Sequence, residues 1–313
     1  MLIHFLYVFG GMALLILGAD LLVRGAAGIA LKLGVSALVV GLTVVALGTS
    51  APEMVVGAAA ALEGKGGIAL GTVFGSNLCN ILMIMGAAAL MRPIPVNLQM
   101  IRVDVPIMLG SIAALGGLLY FGNGLSRVDG IALFAGICAY VIFTVNNARK
   151  NREAPEDIPE TSKNMVVLIG LILAGLVALK FGGDFLLQGA VSLARGWGVD
   201  DALIAIAIIA PGSSLPELAT AAAASLKGEG DLVTGNVVGS NTFNTLAVLG
   251  IAAMCAPIMM NDGGVTWLDY FIMAAGCVIT VPMMLTRMKL GRIEGAIMIA
   301  IYVAYLIYKI FGL

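Results

Sequence analysis

The charged residues of this chain fall mostly between apolar blocks of about twenty residues, the length that crosses a bilayer as a helix. In lipid every backbone N–H and C=O needs a partner inside the protein, so such blocks fold as helices rather than as loops or open sheet. Of 313 residues, 60% are hydrophobic and only 11% are charged, against about 25% charged in a soluble domain. The expected fold class is an all-α polytopic membrane protein.

Ten transmembrane helices are expected, at about 2–23, 36–61, 68–90, 103–121, 128–147, 164–187, 199–224, 232–254, 267–286 and 293–311. They form two groups of five around residues 148–163, where eight of sixteen residues are charged and Pro155 and Pro159 interrupt the chain. That stretch reads as a solvated linker. The block from Met1 to Leu22 has neither a basic start nor a small-residue cleavage site, so it is expected to stay as the first span.

The halves repeat. A shift of 164 residues places Gly18, Asp20, Ala46, Gly48, Ser50, Pro52, Glu53, Gly71, Gly75, Ser76, Asn77, Asn80 and Pro93 on identical residues without a gap. Each half has an odd number of spans, so residues 164–313 enter the membrane upside down relative to residues 1–147. Inverted-topology repeats of this kind mark secondary transporters, with substrate held near the midplane. Twelve Lys and Arg residues follow odd-numbered spans and four follow even-numbered ones. That bias puts both termini outside and the linker in the cytoplasm.

Two polar interruptions stand out within the apolar blocks: Ala46-Leu47-Gly48-Thr49-Ser50-Ala51-Pro52-Glu53 and Ala210-Pro211-Gly212-Ser213-Ser214-Leu215-Pro216-Glu217. Each sets a carboxylate where lipid is expected, which is costly unless something positive sits beside it. Pro52 has no N–H to give the carbonyl of Gly48, and a freed carbonyl in lipid must find another partner. A cation answers both needs. Ala46, Ser50 and Glu53 share one helix face, with Thr49 alongside, and the second copy repeats this with Ala210, Ser213, Ser214 and Glu217. The next span of each half adds Ser76 and Asn80, or Ser240 and Asn244, one turn apart after a Gly-xxx-Gly that lets helices approach closely. These oxygen donors suit Ca²⁺, Na⁺ or similar hard ions, and two carboxylates balance one divalent ion.

Other functions fit less well. A net charge of −1 and no basic run argue against nucleic-acid binding. His4 is the only histidine, and Cys79, Cys138, Cys255 and Cys277 are widely spaced, so no cofactor is expected and the cysteines read as buried packing. A hydrolase with paired carboxylates would want Arg, Lys or His in the core spans, and there is none. The chain therefore reads as a transporter and not an enzyme, with no obligate protein partner evident. Asn77 and Asn241 sit one residue off the ligand face and read as structural. Asp20 and Asp184 read as helix-end charges, and Lys180 as a side chain reaching for the membrane surface.

GTSAPE and GSSLPE, each followed by GS-N-x-x-N, resemble the two alpha repeats of the cation/Ca²⁺ exchanger superfamily, and its prokaryotic Na⁺/Ca²⁺ exchanger branch above all. The resemblance covers essentially the whole chain, with the motifs at 46–80 and 210–244. It implies a Ca²⁺/Na⁺ antiporter of a prokaryotic inner or plasma membrane, in which spans one and six slide across a fixed core. It also implies Ca²⁺ held by Glu53, Glu217, Thr49 and Ser213. One Na⁺ is implied near Ala46, Ser50, Glu217 and Ser240, another near Ala210, Ser214, Glu53 and Ser76, with Asn80 and Asn244 lining the middle. A Ca²⁺/H⁺ antiporter of the same superfamily, or one for another divalent cation, is the alternative; the Ca²⁺/H⁺ members usually carry GN in place of GTS. Three departures from the family pattern bear on selectivity. Asn244 stands where some members have Asp, and Ser213 replaces a Thr. Pro211 is expected to hold Ala210 away from helical geometry.

Overall fold

A computed structural model describes residues 2–150, 164–199, 204, 210–260 and 265–311. In chain order its helices are α1 (Leu2–Leu33), α2 (Ala37–Thr49), α3 (Ala51–Leu62), α4 (Gly66–Met91), α5 (Met100–Gly122), α6 (Arg127–Lys150) and α7 (Met165–Gly196). The second half continues with α8 (Ala210–Gly212), α9 (Leu215–Lys227), α10 (Gly230–Cys255), α11 (Trp267–Leu285) and α12 (Arg292–Phe311). Four two-residue strands, β1 (Ile94–Pro95), β2 (Gly124–Leu125), β3 (Ile258–Met259) and β4 (Lys289–Leu290), clip the connections together.

Among the described residues seven helices are long and apolar enough to cross a membrane, or eight when the bent pair α2–α3 counts as one span. Ten were expected. Residues 200–203 and 205–209 of the seventh expected span lie outside the described residues, leaving α8 and α9 there. The tenth, α12, is 20 residues long but carries Arg292, Glu294 and Lys309. Residues 151–163 of the linker also lie outside the described residues.

The first and sixth spans outrun their expected ends at 23 and 187. Helices α1 and α7 are each 32 residues long, about 48 Å at 1.5 Å per residue. That exceeds a hydrocarbon core of roughly 30 Å, which calls for tilt. Arg24 does not end α1 because it pairs with Asp20 one turn back, at 2.8 Å. Asp20 and Asp184 thus lie inside their helices rather than at the ends.

Glycines set how α1 and α7 cross. A Cβ on Gly18 would lie 2.8 Å from the Gly175 carbonyl oxygen and the Leu179 nitrogen, and one on Gly175 would lie 2.8 Å from Gly18 O and Leu22 N. Gly11 and Gly182 face each other's backbone in the same way. The 164-residue shift carries Gly11 to Gly175 and Gly18 to Gly182, so it exchanges one close contact for the other. The strand clips behave likewise: Ile94 pairs with Leu290 and Pro95 with Lys289, while Ile258 pairs with Leu125 and Met259 with Gly124.

Helices α10 and α4 form the centre. Their most apolar 18-residue windows are 89% and 72% buried, against 28–39% for α1, α5, α6, α7 and α11. Leu2, Phe9, Ile16, Val128 and Val166 are among the large side chains left exposed on the outer helices. Such a face is stable against lipid tails rather than water. The cysteines divide: Cys79 and Cys277 are buried, but Cys138 is exposed and Cys255 intermediate, so buried packing fails for those two. Cys138 lies on the outer helix α6, on a face that lipid rather than protein would cover.

Candidate ion-binding site

Both proline motifs break their helices as the missing N–H requires. Ser50 separates α2 from α3, whose axes differ by 44°. Ser213 and Ser214 form the turn between α8 and α9. Pro52 and Pro216 then sit in the first turn of the next helix, where no intrahelical donor is needed. Glu53 and Glu217 therefore each occupy the first turn of a helix that starts inside the protein, at its partly positive end. The expectation for Ala210 is not met: Ala210–Gly212 is a helical turn despite Pro211. Pro211 has no N–H to contribute there, but its fixed φ is compatible with a helix.

The glutamates are 2% and 1% exposed and lie within reach of each other's charge. Ser50, Ser76, Asn80, Ser214, Ser240 and Asn244 are buried with them, as is Thr49. Ser213 is exposed and lines a cavity of about 510 Å³ shared with Glu53, Ser76, Lys180 and Asp184. A buried polar atom without a partner is expensive, and here such atoms are concentrated. Both carboxylate oxygens of Glu53, Oε2 of Glu217, the hydroxyls of Ser50, Ser76 and Ser214, and Oδ1 of Asn80 and Asn244 have no hydrogen-bond partner. All eight of these ligand atoms are oxygens; Nδ2 of Asn236, whose Oδ1 faces Thr49, is a neighbouring nitrogen also without a partner.

Three of the remaining predicted ligands, Ala46, Thr49 and Ser240, have prior engagements. The Ala46 carbonyl accepts the Ser50 N–H at 3.0 Å and the Thr49 hydroxyl at 3.4 Å. Thr49 also reaches across the halves, donating to Oδ1 of Asn236 at 3.3 Å and lying 3.4 Å from Ser240 Oγ.

Asn77 and Asn241, set aside as structural by their register, explain why the other two asparagines present oxygen. Asn80 donates its Nδ2–H to Asn241 Oδ1 at 3.1 Å, and Asn244 donates to Asn77 Oδ1 at 3.2 Å. Asn241 donates in turn to the Asn77 carbonyl, and Asn77 to Thr245 Oγ1, both at 3.1 Å. With the N–H₂ groups held across the interface, the carbonyl oxygens of Asn80 and Asn244 are left facing elsewhere. Both asparagines also lie in π-helical turns, Cys79–Ile84 and Asn244–Val248, a distortion frequent at functional sites.

Sequence reasoning missed three features. Asn236, fully buried, is the Thr49 acceptor; its place one turn before Ser240 on the same face was the available signal. The π-helical turns left no trace in the apolar pattern. Lys180 does not simply reach for the membrane surface: it pairs with Asp184 at 2.6 Å on the wall of the cavity, within reach of the Glu53 charge.

Known proteins share this architecture. The family model described as sodium/calcium exchanger protein matches residues 3–146 and 167–311. A protein of Alkalimonas amylolytica that bears the name antiporter CaxA is 38% identical over 97% of this chain and 98% of its own length. The sodium/calcium exchanger MaX1 of Methanosarcina acetivorans is 29% identical over 97% of this chain and 98% of its own. A solved structure of the sodium-calcium exchanger NCX_Mj, soaked with zero Na⁺ and Ca²⁺, superposes with a TM-score of 0.85 at 28% identity, covering 97% of this chain and 98% of that one.

Proposed function

The chain belongs to the sodium/calcium exchanger protein family, and from that premise we propose that it is an antiporter exchanging Ca²⁺ for Na⁺ at the Glu53–Glu217 site by alternating access. The observation that carries this reading is the set of eight partnerless buried oxygens drawn from both halves around two carboxylates. Two acids enclosed in protein within a membrane, with no lysine or arginine in α2, α3, α4 or α10 and only the terminal Lys227 in α9, leave a double negative charge that mobile cations must balance.

Competition between the ions follows from shared ligands. Glu53, Glu217, Thr49 and Ser213 would hold Ca²⁺. Glu217 would also serve a Na⁺ with Ala46, Ser50 and Ser240, and Glu53 a second with Ala210, Ser214 and Ser76. Asn80 and Asn244 would supply their carbonyl oxygens at the centre. The Ca²⁺ and Na⁺ sets both need the glutamates, so loading one empties the other. An unloaded site would carry two uncompensated charges through a dry interior, a cost of several kcal/mol per ion. Movement is thereby restricted to loaded states, which is what couples the two fluxes.

The moving part would be α1 with α7. Their backbones meet at Gly11, Gly18, Gly175 and Gly182, so they form one closely joined unit lying across the four central spans. The exchange of contacts under the 164-residue shift supports reading residues 1–147 and 164–313 as inverted repeats of five spans. With both termini outside, the cavity beside Glu53 opens outward.

The test is Ca²⁺ uptake by proteoliposomes of purified protein, driven in turn by outward gradients of Na⁺, K⁺ and H⁺. Sodium alone is expected to drive uptake. Uptake driven by a proton gradient without Na⁺ would make the protein a Ca²⁺/H⁺ antiporter instead.

A further inference from the structure

The two halves treat a second buried acid differently. Past the strand clips the repeat continues with a shift of 165 residues, which relates Arg127, Asp129 and Gly130 to Arg292, Glu294 and Gly295. The structure respects that register: Ser126 N–H donates to Asp129 and Gly291 N–H donates to Glu294. The same shift carries Asp104 to Asp269, Tyr140 to Tyr305, and Thr144 to Lys309.

In the second half the acid is fully partnered. Asp269 forms an ion pair with Lys309. Its Oδ2 accepts the N–H and the hydroxyl of Thr266, both at 2.9 Å. In the first half each partner is lost. Position 144 is threonine rather than lysine, and position 101, the counterpart of Thr266, is isoleucine. Asp104 is nevertheless the more buried acid, 1% exposed against 9% for Asp269. It accepts one long hydrogen bond, 3.3 Å from the Tyr140 hydroxyl, and its Oδ2 has no partner. Thr144, 1% exposed, lies beside the phenol and makes no well-formed hydrogen bond of its own. Among the described residues no lysine or arginine pairs with Asp104.

The surroundings favour a small cation over a second protein group. Asp104 ends a π-helical turn, Met100–Asp104. Pro106 follows it and brings no N–H to the turn before it, so a carbonyl there loses a donor. A carboxylate, a phenol, a hydroxyl and backbone carbonyl are hard oxygen donors, and one negative charge balances one monovalent ion. A separate cavity of about 270 Å³, lined by Ser36, Asn97 and Gln99 with Val35, Val39, Leu98 and Ala148, reaches α6 at Ala148, one turn beyond Thr144.

We propose that Asp104, Tyr140 and Thr144 form a second cation site, outside the exchange core, holding one monovalent metal ion where the other half holds the Lys309 ammonium. This site does not depend on which ion drives exchange.

The experiment uses full-length protein in which Glu53→Gln and Glu217→Gln silence the central site. Its melting temperature is followed against NaCl and KCl at two buffered pH values, with choline chloride keeping ionic strength constant. A bound ion stabilises by mass action, and a rise on the order of several degrees is expected with Na⁺, K⁺ or both. Adding Asp104→Asn should remove the rise. Adding Thr144→Lys, which supplies a tethered ammonium as in the other half, should also remove it while keeping the melting temperature near that of the ion-loaded parent. If one of the two variants fails to fold, the other decides. A parent insensitive to both alkali ions, or one that responds only to pH, overturns the proposal. So does an alkali-ion response that survives in both variants.

Discussion

The central spans and the α1–α7 pair are both buried in parts, yet they treat polar groups in opposite ways. Around Glu53 and Glu217 the acids have no cationic partner on their own helices, and three of their four carboxylate oxygens are unsatisfied. Along α1 and α7 every acid has a basic neighbour: Asp20 pairs with Arg24 at 2.8 Å and Lys227 at 2.7 Å, and Asp184 with Lys180 at 2.6 Å. Where these two helices touch each other, glycine backbones meet and no polar side chain is needed. On the proposed mechanism, unsatisfied oxygen marks the region that exchanges its partners with the medium. Satisfied charge and bare backbone mark the region that would hold together while it moves.

The largest effect that could break this contrast is at the glutamates. Glu53→Gln and Glu217→Gln are each expected to lower Ca²⁺ flux by at least about 100-fold, since a buried divalent ion that loses one of its two balancing carboxylates forfeits several kcal/mol. Retention volume on gel filtration should not change. Near-normal flux in either variant would detach the unsatisfied oxygens from transport.

Next in size is the helix crossing. Gly18→Val puts a side chain 2.8 Å from the backbone of α7, which has no flexible end to yield. Overpacking of that kind costs about 1–3 kcal/mol, and flux should fall about tenfold as the pair is forced apart. Gly10→Val is the control, because nothing lies within 4 Å of its added Cβ. Equal losses in the two variants would show that the crossing has no special part.

Much of this was legible in the sequence. The proline before each glutamate, a missing N–H inside an apolar block, announced the helix break, and it recurred in register with the buried acid of the proposed ion site. What stayed hidden has a physical reason. Helices α1 and α7 run past Arg24 and Asp184 because each charge finds a partner one turn away, which a hydropathy window scores only as a penalty. The π-helical turns at Cys79–Ile84 and Asn244–Val248 alter hydrogen-bond register without altering apolar character. Asn77 and Asn241 were assigned correctly to structure by their place off the ligand face. Register along one helix, however, says nothing about a partner on another, so their grip on Asn80 and Asn244 could not be read. The contrast between Asp104 and Asp269 was open to inspection but needed the one-residue change in repeat spacing, which the strand pairing makes plain.

That asparagine bridge gives the third prediction. Asn241→Ala removes the acceptor for Asn80, and the freed Nδ2–H₂ group costs about 1–3 kcal/mol if it stays buried and unpaired. The cheaper outcome is rotation of the Asn80 amide, which would turn nitrogen toward the ion. Half-saturation for Ca²⁺ should therefore rise about tenfold, with maximal flux less affected. A change in stability without any change in ion dependence would make the bridge mere packing.

The smallest expected effect lies on the other side of the comparison, at Lys227. Its ion pair joins the end of α9 to Asp20 in α1, the proposed fixed part to the proposed moving one, and Asp20 keeps Arg24 when Lys227 is removed. Partly exposed pairs of this type are worth about 1 kcal/mol or less. Lys227→Met should therefore leave the melting temperature almost unchanged while shifting the balance between the two access states by up to about fivefold. The readout is cysteine labelling at Ser213, introduced as Ser213→Cys on the wall of the outward cavity, compared with and without Lys227→Met. If α9 and α1 must part for the site to open inward, removing the tie favours the inward state and labelling from outside slows. Unchanged labelling would mean that the pair is only a surface contact, and that the two regions are held in place by the glycine crossing and ion occupancy alone.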